Sequence, residues 1–233
     1  MSEAAALVFL LDVDNTLLDN DRFGDDLGDT LTQAFGVAER DRYWSIYEQL
    51  RDESGYADYL GALQRFRIGL GNERALLQMS GYLLEYPFAE RLYPHALDTI
   101  AHLRTLAPVV ILSDGDVVFQ PHKLQRSGIW SAVSGEVLVY VHKQRMLVAM
   151  QQRYPAAHYV MVDDKPQILA AMKQQLGAHL TTVFVRQGHY AADSEHESIE
   201  PTPDLTIECI DELRRRKLED FLPDSSVISL AAD

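Results

Sequence analysis

Four apolar, β-prone runs in this chain each end on polar residues that can bear chemistry, and that repeated junction constrains the fold most tightly. The runs are Leu7 to Leu11, Val109 to Leu112, Val137 to Val141 and Tyr159 to Val162. They lead into Asp12-Val13-Asp14-Asn15-Thr16, Ser113-Asp114-Gly115, Lys143 and Asp163-Asp164. Near-continuous apolar runs suit strands buried on both faces, as in a parallel sheet. In such a sheet, residues just past the carboxyl ends of neighbouring strands gather in one crevice. The sequence therefore nominates one site holding a carboxylate cluster, a hydroxyl and an amine.

From residue 96 onward, strand and helix signals alternate. Val109 to Leu112 is followed by a helical stretch from Phe119 to Ser127, with Gly128 placed to end it as a C′ residue. Val137 to Val141 precedes Gln144 to Arg153, and Tyr159 to Val162 precedes Pro166 to Leu176, with Pro166 suited to a first helical position. Thr181 to Val185 and Leu205 to Ile207 read as further strands, and Asp211 to Leu218 as a last helix. Residues 20–91 break this rhythm: helical patterns at Asp26 to Phe35, Asp41 to Arg51, Tyr56 to Phe66 and Glu73 to Leu84 occur without a convincing strand. The expected fold is α/β, a Rossmann-like parallel sheet core of residues 1–19 and 92–233, with 20–91 inserted as an all-helical cap subdomain. The alternative is that these helices extend the core. Gly188 to Asp204, rich in Glu, Ser and Pro, reads as an exposed connector.

Composition narrows the function classes. With 21 Lys and Arg against 35 Asp and Glu, the net charge of −14 repels nucleic-acid backbones and anionic membranes. No stretch approaches the roughly 18 apolar residues of a membrane span, and the first apolar run stops at Asp12, too early for a signal segment. One cysteine, Cys209, supports neither a disulfide framework nor a cysteine metal cluster, and reads as small core filler. A cytoplasmic address is expected, with no nucleic acid and no membrane among the partners, in a monomer or homodimer.

The candidate residues suit phosphoryl transfer. Asp12 can attack phosphorus as a carboxylate, forming an acyl phosphate that water hydrolyses. Asp14, two residues on, is placed to protonate the leaving oxygen and then deprotonate the attacking water. Asp163 and Asp164 crowd further carboxylates against Asp12, a cluster that repels itself unless a hard divalent cation, Mg²⁺ foremost, sits among the oxygens. Ser113 and the backbone N–H groups of Asp114 and Gly115, beside a helix N-terminus, can bind phosphoryl oxygens. Lys143 adds a compact positive charge. Each residue alone has a blander reading: acidic residues after strands form turns or cap helices, and a lone lysine is usually solvated. Their joint occurrence at successive strand ends favours the functional one. His142, beside Lys143, is expected to support the site rather than to ligate.

These motifs resemble those of the haloacid dehalogenase (HAD) superfamily of phosphohydrolases. Asp12, Asp14 and Thr16 match its D-x-D-x-T; Ser113 matches the second motif, Lys143 the third, and Asp163 with Asp164 the acidic fourth. The resemblance implies Asp12 as nucleophile and metal ligand, and Asp14 as acid/base with its backbone carbonyl on Mg²⁺. It further implies Asp164 as a direct metal ligand, Asp163 as a water-mediated or supporting one, and Thr16, Ser113, Asp114, Gly115 and Lys143 around the phosphate. Many cap-bearing members carry Asn where this chain has Asp114. Dehalogenating members lack the second Asp of the first motif, so Asp14 points to phosphoryl rather than halide chemistry. The substrate so implied is a small phosphorylated metabolite, chosen by the cap, with Arg22, Tyr56, Tyr59, Arg65 and Arg67 as candidates to reach it. Beside a phosphatase, a phosphomutase and a non-enzymatic phospho-acceptor switch use the same groups.

Overall fold

In the computed structural model, which describes residues 4–193 and 199–222, six strands form one parallel sheet. The strands are β1 (Ala5–Leu11), β2 (Val109–Asp114), β3 (Val137–Tyr140), β4 (Ala156–Asp163), β5 (Leu180–Val185) and β6 (Leu205–Ile207). Their spatial order is β3-β2-β1-β4-β5-β6. The chain thus runs outward from β1 in one direction and then returns to add β4 on its other side. The resulting switch point, between β1 and β4, is where an open α/β sheet forms its ligand crevice. Register there is Leu10↔Met161 and Leu11↔Val162, which brings the mouths of β1 and β4 level.

Alternation along β1 explains why both faces are covered. Leu7, Phe9 and Leu11 pack into one apolar cluster with Val109, Ile111, Val160, Val162 and Val183. Val8 and Leu10 pack into the opposite cluster with Val110, Leu112, Tyr159 and Met161. Helices α8 (Leu147–Arg153) and α9 (Pro166–Leu176) contribute Leu147, Met150, Leu169 and Met172 to the second cluster. Pro166 does stand at the start of α9.

Residues 20–91 hold α1 (Asn20–Phe35), α2 (Val37–Ser54), α3 (Tyr59–Phe66), α4 (Glu73–Glu85) and a short 3₁₀ turn, Phe88–Arg91, with no strand among them. The helix α1 starts six residues earlier than its apolar pattern predicts, because the Asp19 side chain accepts the Arg22 N–H and sets the N-cap. The helix α3 starts three residues later, at the Asp58 cap, whose carboxylate accepts from Gly61 N–H at 2.6 Å. Both chain segments entering and leaving this helical insertion run side by side. Asp19 N–H donates to Arg91 O at 2.7 Å and Tyr93 N–H to Leu17 O at 3.0 Å. Between the insertion and β2 lies α5 (Ala96–Leu106), and between β2 and β3 lie α6 (Phe119–Ser127) and α7 (Ile129–Ala132).

Three local expectations are corrected. Asp211 to Leu218 is not an α-helix: a 3₁₀ stretch, Ile210–Arg215, begins where Glu212 Oε1 accepts from the Glu208 and Cys209 N–H groups. Cys209 is exposed rather than core filler, because the next residue, Ile210, takes the buried place. The connector after β5 opens with a helix, α10 (Gly188–Asp193); residues 194–198 of that connector lie outside the described ones. Among the described residues no helix is long and apolar enough to cross a membrane.

The β5 exit grips the first loop. Gln187 Nε2 donates to Thr16 O at 3.1 Å while its Oε1 accepts from Ile210 N–H at 2.7 Å. Gly188 follows at φ +72°, and a Cβ there would sit 2.5 Å from Asn15 Cβ. Gly188→Val should therefore cost about 1–3 kcal/mol, from the strained φ and the overlap with Asn15. Chemical denaturation of the variant against the parent measures it, and an unchanged midpoint would contradict this packing.

Candidate active site

The β1–β4 ladder runs one residue beyond β1, since Asp12 N–H donates to Val162 O at 3.0 Å. That bond carries the Asp12 carboxylate up beside Asp163, the last residue of β4. Asp12, Asp163 and Asp164 each offer an oxygen within 4.8 Å of the others, and all three are buried.

Lys143 is the counter-charge. It lies after β3 and is 2% exposed; its ammonium donates to Asp12 Oδ1 and, at 3.3 Å, to Leu112 O. Asp163 Oδ2 lies 2.8 Å from the same nitrogen but outside hydrogen-bonding alignment. Asp114 places this lysine, because its Oδ1 accepts the Lys143 backbone N–H at 2.7 Å. Burial opposes the Lys143 ammonium, yet Asp12, Asp163 and Asp114 outweigh it and hold the group protonated well above the ordinary lysine range.

Lys143 and, from the cleft wall, Lys165 do not balance three carboxylates. Both oxygens of Asp164 are buried without a hydrogen-bond partner. Burial, then Asp163 and Asp12, push the Asp164 carboxyl up to about 9. Asp12 is pushed up to about 7 by burial, with Lys143 pulling down and Asp163 pushing up. Orphaned buried carboxylate oxygens converging from two strand ends are the donor set a hard divalent cation takes. The residues present fit such a cation.

Asp14 sits apart from this cluster. Its Oδ1 accepts from Lys123 Nζ at 2.7 Å, and its Oδ2 lies 3.4 Å from Gln120 Nε2. Gln120 Nε2 also donates to Ser113 Oγ at 2.9 Å. A cleft of about 1230 Å³ opens between the strand ends and the helical insertion, with Asp14, Asp114 and Lys165 on its core wall and Trp44, Tyr47 and Arg51 on its helical wall. Asp12, Ser113 and Lys143 are buried and do not line that cleft.

Several sequence-predicted groups are otherwise engaged. Gly115 N–H is not free for an anion, because it donates to Tyr140 O at 3.0 Å. The first N–H groups at the α6 N-terminus are also taken: Asp116 Oδ1 accepts from Val118 and Phe119. Gly115 instead permits close approach of Gln120, whose Cβ would lie 2.9 Å from a Cβ at that position. Thr16 is fully buried, with its hydroxyl unpartnered, and is not part of the cleft wall. His142 faces the insertion, where a Cβ on Gly55, at φ +80°, would overlap its ring. Of the five residues expected to reach a substrate, Arg22, Tyr56 and Tyr59 line the cleft. Arg65 instead pairs with Glu53 at 2.7 Å on the surface, and Arg67 is exposed.

Lys123, Gln120, Lys165 and Arg51 escaped the sequence reading. For Lys123 and Gln120 a signal existed: they share the α6 face that buries Phe119 and Leu124, and polar groups on an apolar helix face require partners. Lys165, stacked 4.4 Å over the Tyr190 ring, and Arg51 are brought in only by tertiary packing.

Residues 7–175 match the haloacid dehalogenase-like hydrolase family. Among solved structures, a protein of Burkholderia xenovorans LB400 assigned to the haloacid dehalogenase-like hydrolases is 55% identical, with 92% of this chain and 98% of that one covered at a TM-score of 0.85. A Bacillus subtilis HAD-hydrolase bound to magnesium is 18% identical, covering 90% and 97% at 0.61. An L-2-haloacid dehalogenase of Xanthobacter autotrophicus is also 18% identical, covering 91% and 97% at 0.58. At that identity the last two show shared fold alone. No functionally curated protein matches significantly.

The carboxylate cluster yields a pH test. Because burial, then Asp163 and Asp12, hold the folded Asp164 carboxyl far above its unfolded value, the metal-free folded state keeps a proton that the unfolded state has already released. Its stability therefore falls as pH rises. A cation that displaces the proton should raise Tm more at about pH 9 than at about pH 6. Thermal melts with Mg²⁺ or EDTA across that range check it; a pH-independent Mg²⁺ shift would contradict it.

Proposed function

The chain belongs to the haloacid dehalogenase-like hydrolases, and from that membership we propose that it is a Mg²⁺-dependent phosphatase of the cytoplasm, hydrolysing a small phosphorylated metabolite through an aspartyl-phosphate. The observation that carries this reading is Asp14, a second carboxylate 25% exposed at the cleft and held on both oxygens, two residues from the buried Asp12. Expulsion of a halide requires no proton, whereas an alkoxide leaving group does. An acid/base at that place has a task in ester cleavage and none in carbon–halogen displacement.

Asp12 Oδ2 forms the new bond to phosphorus while Lys143 holds Oδ1. The ester P–O bond breaks, and Asp14 gives its proton to the departing oxygen. Water entering by the cleft then loses a proton to Asp14 and attacks phosphorus, breaking the Asp12–phosphorus bond and releasing phosphate. Residues 20–91 act as the cap that selects the leaving group. Mg²⁺, bound by the Asp12, Asp163 and Asp164 carboxylates with the Asp14 carbonyl, would neutralise charge on the phosphoryl oxygens. The wide polar cleft admits water, which favours hydrolysis over return of the phosphoryl group to substrate.

Phosphate release from a panel of phosphorylated metabolites with Mg²⁺ tests the reading. EDTA should abolish it, and Ca²⁺ should inhibit because its coordination shell is larger and looser. Chloride release from 2-chloropropionate without phosphate release would establish the dehalogenase reaction instead, and transfer back to substrate a mutase.

Two substitutions sharpen the mechanism. Asp12→Asn should leave neither turnover nor phosphoenzyme. Asp14→Asn, given an activated aryl phosphate, should accumulate phosphate on a peptide containing Leu10 to Thr16, seen by mass spectrometry after acid quench; label on Ser113 would overturn the assignment. Arg51→Ala, on the cap wall, should change kcat/KM by unequal factors across esters. Equal loss for every ester would count against a role in selection.

A further inference from the structure

Lys123 is a lysine that the mechanism above does not use, and it is 1% exposed. A buried ammonium is costly unless each N–H finds a partner. Two of its partners are Asp14 Oδ1 at 2.7 Å and Asn20 Oδ1 at 2.9 Å. Around it stand four aromatic rings, Phe23, Tyr59, Phe88 and Phe119, with centroids 5.7–6.0 Å from the nitrogen, within range of cation–π attraction.

The provenance of these partners matters more than their number. Lys123 and Phe119 belong to α6 of the core, and Asp14 to the loop after β1. Asn20, Phe23, Tyr59 and Phe88 all belong to the helical insertion, and Asn20 is the first residue of α1, directly beyond the paired connecting segments. A movement of the insertion away from the core would strip Lys123 of one hydrogen bond and three rings, leaving it Asp14 and the Phe119 ring. Gln120, one turn earlier on α6, completes a clamp on Asp14 by reaching its second oxygen.

We propose that Lys123 is a positioning residue: with Gln120 it fixes the orientation of the Asp14 carboxylate, and through Asn20 and the aromatic cage it makes that orientation depend on the helical insertion being docked. The inference rests on the reading of Asp14 as acid/base. It assigns Lys123 no contact with substrate. Its effect passes through Asp14, so the clamp should matter only while Asp14 can act.

A double-mutant cycle tests this. Lys123→Met keeps a linear side chain within the rings but removes the ammonium, and Asn20→Ala breaks the contact to the start of α1 alone should the first variant fold poorly. With p-nitrophenyl phosphate and Mg²⁺, Lys123→Met should slow decay of the phospho-Asp12 intermediate roughly 100-fold. KM should change little. In the Asp14→Asn background, either second substitution should leave the decay rate unchanged, because the group positioned is already disabled. Multiplying losses in that background, or a folded Lys123→Met with parental decay, would overturn the proposal.

A second readout does not depend on the reaction. Amide hydrogen exchange over residues 14–23 should accelerate in Lys123→Met and Asn20→Ala, because the start of α1 loses its tether to α6. Should the parent release no phosphate from any ester, the phosphatase reading fails and this measurement judges the clamp: faster exchange upholds it, parental protection refutes it.

Discussion

The structure is organised around an electrostatic imbalance at the mouth of β1 and β4. Three buried carboxylates face the Lys143 ammonium, with Lys165 acting from the cleft wall, and Asp164 has neither oxygen satisfied. Removing charges from water without full pairing is among the most costly things a fold does. Here the cost is accepted at the topological switch point, where strand ends from either side of β1 are level. The unpaired oxygens thereby form a donor set that fits a small, doubly charged cation, and burial with mutual repulsion raises the Asp12 and Asp164 carboxyls above their ordinary range.

Around this centre, residues commonly expected to contact ligand serve instead to hold the machinery. Asp114 pins the turn that delivers Lys143. Asp116 occupies the donors at the start of α6, and Tyr140 occupies the Gly115 N–H. Gln187 and Gly188, arriving from β5, brace the loop that bears Asp14 and Asn15. Asn15 in turn accepts the N–H groups of Asn20 and Asp21, so the start of the helical insertion is tied directly to the loop after β1. Positions of carboxylates two residues apart are thus set by partners more than a hundred residues away.

How much of this was legible depended on the range of the forces involved. Leu7 to Leu11 and Tyr159 to Val162 declared themselves as buried parallel strands by uninterrupted apolarity, and Asp12, Lys143, Asp163 and Asp164 could be read because strand ends in a parallel sheet converge by construction. Local chemistry placed Pro166 at the start of α9 and Gly128 at the end of α6. Asp211 to Leu218 misled, because its helical spacing is overridden by the Glu212 bonds that tighten it into a 3₁₀ turn. Cys209 misled because a small apolar residue next to Ile210 can be buried in only one of two adjacent places.

What the amino-acid sequence determined by itself was the sheet, the helical insertion and the inventory of reactive groups, since apolar periodicity and strand-end placement are properties of nearest neighbours along the chain. Only the tertiary structure decided which groups remain free. Lys123 shares the apolar face of α6, but only the tertiary structure supplies its partners Asp14, Asn20 and four rings, and Arg65 reads as a substrate arginine until Glu53 captures it. Such outcomes turn on distances of a few ångströms between distant segments, because hydrogen bonds and ion pairs between desolvated groups are strong only at contact.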